Sequence, residues 1–204
     1  MSDLVMRQRR AEILRETGET RIALKLDLDR PGPAAIATPV PFLNHMLAAL
    51  ARHGRLTLEI TAQGDVEIDD HHTVEDAGIV LGQALAQAVG DKAGINRFGT
   101  AYAPLDEALA RVVLDFSGRP FISWNAPLRG PTIGGVRLFH TDLAEEFFRA
   151  VVANAQITAH FDLIRSQNDH HAIEALFKAF ALALHSATRL GGPPTVIPST
   201  KGVL

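Results

Sequence analysis

The sequence predicts an α/β (α+β) fold made of two ββαβα units, each a two-layer sandwich of sheet and helices. The first observation is a repeated motif, because residues 70–75 (DHHTVE) return 99 positions later as residues 169–174 (DHHAIE). The second is that each half contains stretches of alternating polar and apolar residues, typical of strands with one exposed face. The third is that each motif opens a long apolar stretch that ends at glycine, as helices do. A duplication about a pseudo-twofold axis explains all three, with units at residues 1–95 and 96–204.

The first unit is predicted to begin with a strand pair, because residues 21–28 (RIALKLDL) alternate polar and apolar side chains. A turn at Gly18 joins the pair, and Pro31-Gly32-Pro33 turns the chain out of it. In order, the predicted elements are strands 11–17 and 20–29, helix 42–50 ending at His53-Gly54, strand 55–62, a turn at 63–65, strand 66–68, and a helix from His71 to about Val89 that stops at Gly90.

The second unit is predicted to repeat this order. A glycine- and proline-rich loop interrupts it at residues 126–135, and Thr141 is the expected cap of the helix that follows. In order, the predicted elements are strand 107–116, a turn at 118–120, strand 121–124, helix 142–154, strand 156–163, and a helix from the second motif to about Leu190 that residues 191–194 (GGPP) terminate.

The composition is that of an ordinary soluble globular protein, with 47% hydrophobic and 21% charged residues among 204. A net charge of −3 gives no basic surface for nucleic acid or for an acidic membrane. Cysteine is absent, so a metal would be held by histidine and carboxylate, and a reducing cytoplasm is expected. Residues 1–10 lack the apolar core of a signal peptide, and no apolar run has membrane-spanning length. We therefore expect a cytoplasmic protein that binds neither nucleic acid nor membranes.

The repeated motif has the residue types of a metal site. At the start of a helix, His71 lies one turn before Glu75, and His72 lies three residues before it. The two imidazoles point about 100° apart, which suits two metal ions better than one. Imidazole and carboxylate together bind divalent transition metals. The alternative is an exposed polar helix start with Asp70 and Asp169 as N-caps, but two copies at one offset favour metal.

The duplication extends the candidate ligand set. His45 lies on the first helix of its unit, 26 residues before His71, and Glu146 lies at the matching place, 24 residues before His170. Both are therefore candidate extra ligands, one in each half. Because the two motifs need not touch within one chain, two half-sites would have to meet across a subunit contact. The sequence thus predicts a homo-oligomer with sites between subunits.

Scattered basic and hydroxyl groups are candidate phosphate ligands. Arg97 and Arg119 each border a glycine turn, where a guanidinium can offer its fork to phosphate. Lys178 lies four residues after Glu174 on the same helix, so it either belongs to the metal side or forms an ordinary ion pair. The end of the chain adds Ser199-Thr200-Lys201-Gly202. Together these groups suit a phosphorylated substrate.

Taken together, these segments resemble the imidazoleglycerol-phosphate dehydratase family of histidine biosynthesis over nearly the whole chain. The residues that carry the resemblance are 17–20 (TGET), 42–47 (FLNHML), 70–76 (DHHTVED), 97–99 (RFG), 105–107 (LDE), 146–148 (EFF), 168–171 (NDHH), 174–178 (EALFK) and 199–202 (STKG).

The resemblance implies a ribosomal protein S5 domain 2-like fold, two Mn²⁺ ions per active site and a 24-subunit assembly. The implied metal ligands are His45, His71, His72, Glu75, His170, His171 and Glu174. The implied substrate contacts are Glu19, Arg97, Arg119, Lys178, Ser199 and Lys201. At Glu146 many members of the family carry histidine, and we retain this carboxylate as a ligand. Ala49 stands where relatives often carry Gln.

The implied reaction is the dehydration of D-erythro-imidazole glycerol phosphate to imidazole acetol phosphate. The substrate ring would act as the electron sink, as an imidazolate between two metal ions. The candidate catalytic residues are Glu19, Glu75 and Glu174, with either Glu174 or Glu19 as the base that moves the proton. Two rival functions use the same residue types: a two-metal phosphoesterase, and a metal-storage or structural metal protein that would not need the phosphate ligands.

Overall fold

The structure is a computed structural model that describes residues 8–204. Most of the polar, basic amino-terminal stretch at residues 1–10 lies outside the described residues, so the expectation made there stays a prediction. Among the helices of the described residues, none has both the length and the apolar character needed to cross a membrane.

The first unit contains four strands and two helices. Its sheet has the strand order β1-β2-β4-β3, in which β3 is parallel to β4 and the other neighbours are antiparallel. In chain order the elements are β1 (Arg10–Glu16), β2 (Thr20–Asp27), β3 (Ala35–Ala37), α1 (Pro41–Gly54), β4 (Thr57–Gly64) and α2 (His71–Val89).

The second unit repeats this topology and adds a hairpin. Its sheet has the order β5-β6-β10-β7, again with one short parallel strand at the edge. A separate hairpin of β8 and β9 stands between β7 and the first helix of the unit. In chain order the elements are β5 (Phe98–Leu105), β6 (Ala108–Asp115), β7 (Phe121–Asn125), β8 (Thr132–Gly134), β9 (Leu138–His140), α3 (Leu143–Ala155), β10 (Thr158–Arg165) and α4 (Asp169–Thr188).

The helices of the two units pack against each other as well as against their own sheets. Helix α2 lies on β1 and β2 and packs against α3, while α4 lies on β5 and β6 and packs against α1. On β2, the inward side chains Ile22, Leu24 and Leu26 are buried and their neighbours are exposed, so one face of the sheet remains open to solvent. This exchange of helix partners joins both units into one hydrophobic core and brings residues of different units together.

Glycine permits the closest of these contacts. A Cβ at Gly78 would lie 2.5 Å from the carbonyl oxygen of Phe147, and one at Gly82 would lie 2.6 Å from that of Val151. The absence of side chains at these positions therefore allows α2 to approach α3 backbone to backbone. Gly99 does the same for β5, where a Cβ would lie 2.0 Å from the carbonyl oxygen of Ala183 in α4.

The predicted fold class is confirmed, but one strand in the main sheet of each unit was not predicted. Strand β3 was missed because it has three residues, two of them alanine, and β5 was missed because glycine and proline interrupt its pattern. The predicted strand at 66–68 is wrong: the segment is a turn closed by the bond from the Ile68 amide to the Asp65 carbonyl, and Ile68 is exposed.

Two expectations before α3 also need correction. The loop predicted at 126–135 contains β8 and leads into β9, because Gly134, at a φ of 109°, lets the chain turn back on itself. Asp142, not Thr141, occupies the N-cap position of α3. The Thr141 hydroxyl donates instead to the carbonyl oxygen of Gly130 at 2.7 Å, which fixes the base of the hairpin segment.

Candidate metal and substrate site

Each repeated motif opens a helix, as predicted: the first histidine pair lies at the start of α2 and the second at the start of α4. The rings of His71 and His72 are 6.2 Å apart with an interplanar angle of 87°, and those of His170 and His171 are 6.1 Å apart at 89°. The two rings of each pair therefore point in different directions, so one pair cannot easily serve one ion.

One three-residue cluster with metal-ligand chemistry forms between the units. Ligand atoms of His45, His170 and Glu174 all lie within 4.8 Å of one another. The Nε2 atom of His45 is 3.0 Å from Oε2 of Glu174, and the Nε2 atom of His170 is 3.3 Å from the same oxygen. His45 comes from α1 and the others from α4, so the packing of α1 on α4 brings the three side chains together.

Lys178 belongs to the same cluster. Its ammonium lies 2.6 Å from Oε1 of Glu174, and both side chains are largely buried. Burial alone would raise the pKa of Glu174, but the hydrogen bonds from Lys178 and His45 outweigh it and lower that pKa. Glu174 is therefore an ionised carboxylate at neutral pH, with one oxygen facing the histidines and the other facing a cation.

The first motif is more open. Nε2 of His71 lies 3.8 Å from Oε2 of Glu75, and both side chains are almost half exposed. Glu146, the predicted extra ligand of this half, lies 3.8 Å from Nε of Arg149 on its own helix. Among residues 8–204, no group of three candidate ligand atoms within 4.8 Å includes Glu146, or joins the two motifs. Within one chain the two motifs are thus separate half-sites.

The second histidine of each motif is held by a carboxylate through Nδ1. Nδ1 of His72 is 3.0 Å from Asp65, and Nδ1 of His171 is 2.8 Å from Glu107. The hydrogen bond that His72 donates to Asp65 raises the pKa of His72, and the one that His171 donates to Glu107 raises the pKa of His171. The pKa of Glu107 falls in turn to about 2, chiefly through its bond with His171. Glu19 lies on the other side of His72, 3.8 Å from Nε2.

The aspartates that precede the histidine pairs do not cap their helices as the alternative interpretation proposed. Asp70 stands at the N-cap position of α2 without a capping hydrogen bond, and its carboxylate binds the guanidinium of Arg137. Asp169 accepts hydrogen bonds from the backbone amides of Arg129 and Gly130. The cap of α4 is Asn168, whose side chain accepts from the amides of the two following histidines.

The hairpin segment of residues 129–140 therefore touches the start of both motifs. Its base holds Asp169 through two backbone amides, and its tip reaches Asp70 through Arg137. The first unit offers no counterpart, since only residues 38–40 separate β3 from α1.

Apart from Lys178, the predicted phosphate ligands lie in a different part of the structure from the metal-type cluster. The guanidinium of Arg97 pairs with Asp115 at 2.7 Å and donates to the carbonyl oxygen of Pro198 at 2.9 Å, which anchors the chain just before the predicted Ser199 and Lys201. In that segment the amide of Lys201 donates to the Ser199 hydroxyl. Arg119 is held in its turn by a hydrogen bond from Nη1 to the carbonyl oxygen of Ser117.

Lys92 is a cation of this group that sequence reasoning missed. Burial, followed by the charges of Arg97 and Arg119, lowers the pKa of Lys92. Three cations thus face a region with Asp115 as their nearby carboxylate, which is an arrangement suited to an anion. Lys92 has no pattern around it in the sequence that would distinguish it from a surface lysine.

The metal-type cluster and the phosphate-type group lie at opposite ends of α4. The amide of Arg97 donates to the carbonyl oxygen of Ala187, near the end of the helix, whereas His170 lies at its start. With a rise of 1.5 Å per residue, the two ends are roughly 25 Å apart. No small substrate bridges that distance within one chain.

The sequence also missed the two carboxylates that hold the second histidines. The sequence predicts a turn at Asp65, and Glu107 lies in one of the segments that carry the family resemblance, but neither pattern indicates a contact with histidine. The only signal for Glu107 was its place in the short segment 105–107.

Comparisons with known proteins agree on one family. The family model described as imidazoleglycerol-phosphate dehydratase matches residues 38–184. An imidazoleglycerol-phosphate dehydratase from Halorhodospira halophila is 54% identical over 203 residues, which are 98% of this chain and 100% of that protein. One from Burkholderia multivorans is 55% identical over 195 residues, covering 95% of this chain and 98% of that protein.

Solved structures give the same result. The imidazoleglycerol-phosphate dehydratase of Staphylococcus aureus superposes with a TM-score of 0.80 at 48% identity, covering 89% of this chain and 99% of that one. The IGPD of Pyrococcus furiosus superposes with a TM-score of 0.79 at 33% identity, covering 94% and 100%.

Proposed function

The chain belongs to the imidazoleglycerol-phosphate dehydratase family and is a hydro-lyase, and we propose that its reaction depends on two Mn²⁺ ions per active site. The substrate is D-erythro-imidazole glycerol phosphate and the product is imidazole acetol phosphate. The observation that carries the proposal is the cluster of His45, His170 and Glu174, which places two imidazole nitrogens around one carboxylate.

The residues present fit a divalent transition metal. Imidazole nitrogen and carboxylate oxygen are the donors that such ions take in a chain without cysteine. The donor atoms of the cluster converge on one small volume, and Lys178 balances the charge of the carboxylate from the far side. The proposed ligands of the two ions are His45, His71, His72, Glu75, Glu146, His170, His171 and Glu174.

The protein's own residues bind the substrate and move its proton. When bound, the ions would act as Lewis acids that stabilise the substrate's imidazole ring as an imidazolate. Glu174 or Glu19 serves as the base at the carbon beside the ring, a role worth roughly 10²–10⁴-fold in rate. Glu174 has both oxygens engaged, whereas the carboxylate of Glu19 is half exposed beside His72. The two candidates therefore differ in what their loss would remove: metal affinity and turnover for Glu174, turnover alone for Glu19.

The phosphate is held by Arg97, Arg119, Ser199 and Lys201 of one subunit, together with Lys178 beside the metal-type cluster of the other. Because Arg97 and His170 lie at opposite ends of α4, a complete site requires the phosphate-binding group of one subunit and the metal ligands of another. Binding of the remote phosphate then orients the reacting carbon. The family resemblance supports a homo-oligomer of 24 subunits.

The direct test incubates the purified protein with imidazole glycerol phosphate and Mn²⁺ and follows the enolised ketone product. Matched samples are stripped of metal with a chelator and then given Mn²⁺ again. We expect activity and oligomer size to fall on stripping and to recover on addition. Full turnover by rigorously metal-free protein would rule out metal dependence, and release of inorganic phosphate would indicate a phosphoesterase instead.

A cytoplasmic location is part of the proposal, because a biosynthetic enzyme without cysteine suits a reducing compartment. Cell fractionation with an antibody to the protein checks it.

A further inference from the structure

The two units hold equivalent histidines with carboxylates from different places in the fold. In the first unit, Nδ1 of His72 pairs with Asp65, which follows β4. In the second, Nδ1 of His171 pairs with Glu107, which lies between β5 and β6. Since an ionised carboxylate can only accept hydrogen bonds, Nδ1 is the protonated nitrogen in both pairs. The Nε2 lone pair of each ring is thereby left free for a ligand.

Strand register identifies which residues of the two units correspond. The pair Arg10↔Asp27 in the first sheet matches Phe98↔Asp115 in the second, 88 positions later. The same offset carries Glu19 onto Glu107. The pairs Asp27↔Thr57 and Asp115↔Thr158 match in the same way, and past the one-residue register shift between Leu163 and Arg165 they carry Asp65 onto Gln167.

The comparison shows an exchange of roles. In the second unit the glutamate of the strand turn holds the histidine, and Gln167, a neutral residue, stands where the first unit has Asp65. The backbone amide of Gln167 donates to Oε1 of Glu107 at 3.1 Å. In the first unit Asp65 holds the histidine, and the glutamate of the strand turn, Glu19, keeps a side chain that is 55% exposed.

We propose that Asp65 and Glu107 are positioning residues of the metal ligands His72 and His171, and that Asp65 frees Glu19 to act on the substrate. The inference rests on the proposed function, because it takes both histidines to be metal ligands. Such carboxylates fix the ring tautomer and orientation of a ligating histidine, and their loss typically lowers metal affinity 10–100-fold. The equivalent glutamates of the two units thus have different roles: Glu107 orients a metal ligand, and Glu19 acts on the substrate.

The test measures Mn²⁺ affinity by calorimetry on the full chain and on the variants D65A, E107A and E19A. D65A and E107A are expected to lose about 10–100-fold in affinity, and E107Q, which keeps an acceptor for Nδ1, is expected to recover part of the loss. E19A is expected to stay within about threefold in affinity while losing turnover, since it does not contact Nδ1. The matched control is E12A, an exposed strand glutamate paired with Lys25, which should change neither quantity.

A second readout does not require the metal. ¹⁵N NMR of the histidine side chains in the metal-free protein, at a pH where they are neutral, should show Nδ1–H for His72 and His171 and a shift toward Nε2–H in D65A and E107A. Unchanged affinity and tautomer in D65A and E107A, or an affinity loss in E19A as large as in E107A, would overturn the inference. If the unmodified protein binds no Mn²⁺, the proposed metal dependence fails, and the tautomer measurement alone decides the positioning role.

Discussion

Replacing Glu174 with Gln removes one charge from the metal-type cluster without changing its size. The carboxylate accepts from Lys178 at 2.6 Å through one oxygen and lies 3.0 and 3.3 Å from His45 and His170 through the other. A charged hydrogen bond contributes about 1.5–3 kcal/mol, and this range applies to the pair of Glu174 and Lys178 because both side chains are largely buried. His45 and His170 are about half exposed, so solvent weakens their share and we count only the lysine pair. We therefore expect Mn²⁺ affinity to fall about 10- to 150-fold.

Turnover in the Gln variant is expected to fall further than metal affinity if Glu174 is also the base, by about 10²–10⁴-fold at saturating Mn²⁺. Product formation is followed optically through the enolised ketone, and affinity by calorimetry. The control is E12Q, because Glu12 pairs with Lys25 at 3.8 Å, as Glu174 pairs with Lys178, but on the exposed face of the first sheet and outside the cluster. That pair is exposed enough that its loss should cost less than about 1 kcal/mol of stability.

The reasoning fails if E174Q, folded and assembled like the unmodified protein, keeps both Mn²⁺ affinity and turnover within threefold. A loss of affinity that saturating Mn²⁺ repairs completely would retain Glu174 as a ligand and leave Glu19 as the base.

Three further predictions concern packing, pH and substrate binding. G82V should lower the free energy of unfolding in urea by about 1–3 kcal/mol, because its Cβ would lie 2.6 Å from the carbonyl oxygen of Val151. The control G135A, at an open position, should leave the stability unchanged, and equal stability of the two variants would contradict the close approach of α2 and α3. Burial, followed by the charges of Arg55 and Arg189, lowers the pKa of His185 below 6.5, so the unfolded chain takes up this proton at a higher pH than the folded protein and the free energy of unfolding should fall as the pH drops below 6.5. H185Q should flatten this pH dependence in urea unfolding at a series of pH values, and an unchanged slope would refute the assignment. R97A should raise KM for the phosphorylated substrate by roughly tenfold or more with little change in kcat, and a KM equal to that of the unmodified protein would remove Arg97 from the phosphate site.

The parts of the fold that local pattern determines were predicted well. Helix α2 ends at Val89 before Gly90, as expected, because an apolar run and a glycine are signals within a single turn of chain. The divergence of the two histidine rings also follows from helix geometry alone. The short edge strand β3 and the interrupted strand β5 were missed because their pairing with β4 and β6 provides what their own residues lack.

The sequence predicted His45 as a candidate ligand through the duplication, and the structure places it next to His170 and Glu174. That these side chains bind a metal stays a prediction. Asp65 and Glu107 were not found, because they reach their histidines across 7 and 64 residues of sequence through contacts that only the assembled sheets create. Glu146 as a ligand and the joining of half-sites between subunits stay predictions.

The hairpin segment has a consequence for how the halves of the molecule communicate. The base of the hairpin binds Asp169 at the start of α4, and its tip binds Asp70 at the start of α2. A displacement at the start of one helix is therefore transmitted through the hairpin to the start of the other. The hairpin segment has no counterpart in the first unit, so it breaks the symmetry of the duplicated chain. It connects the starts of α2 and α4 mechanically. Its tip at Val136 is fully exposed, so a protease cut there would break the covalent link between Gly130 and Arg137 along the hairpin.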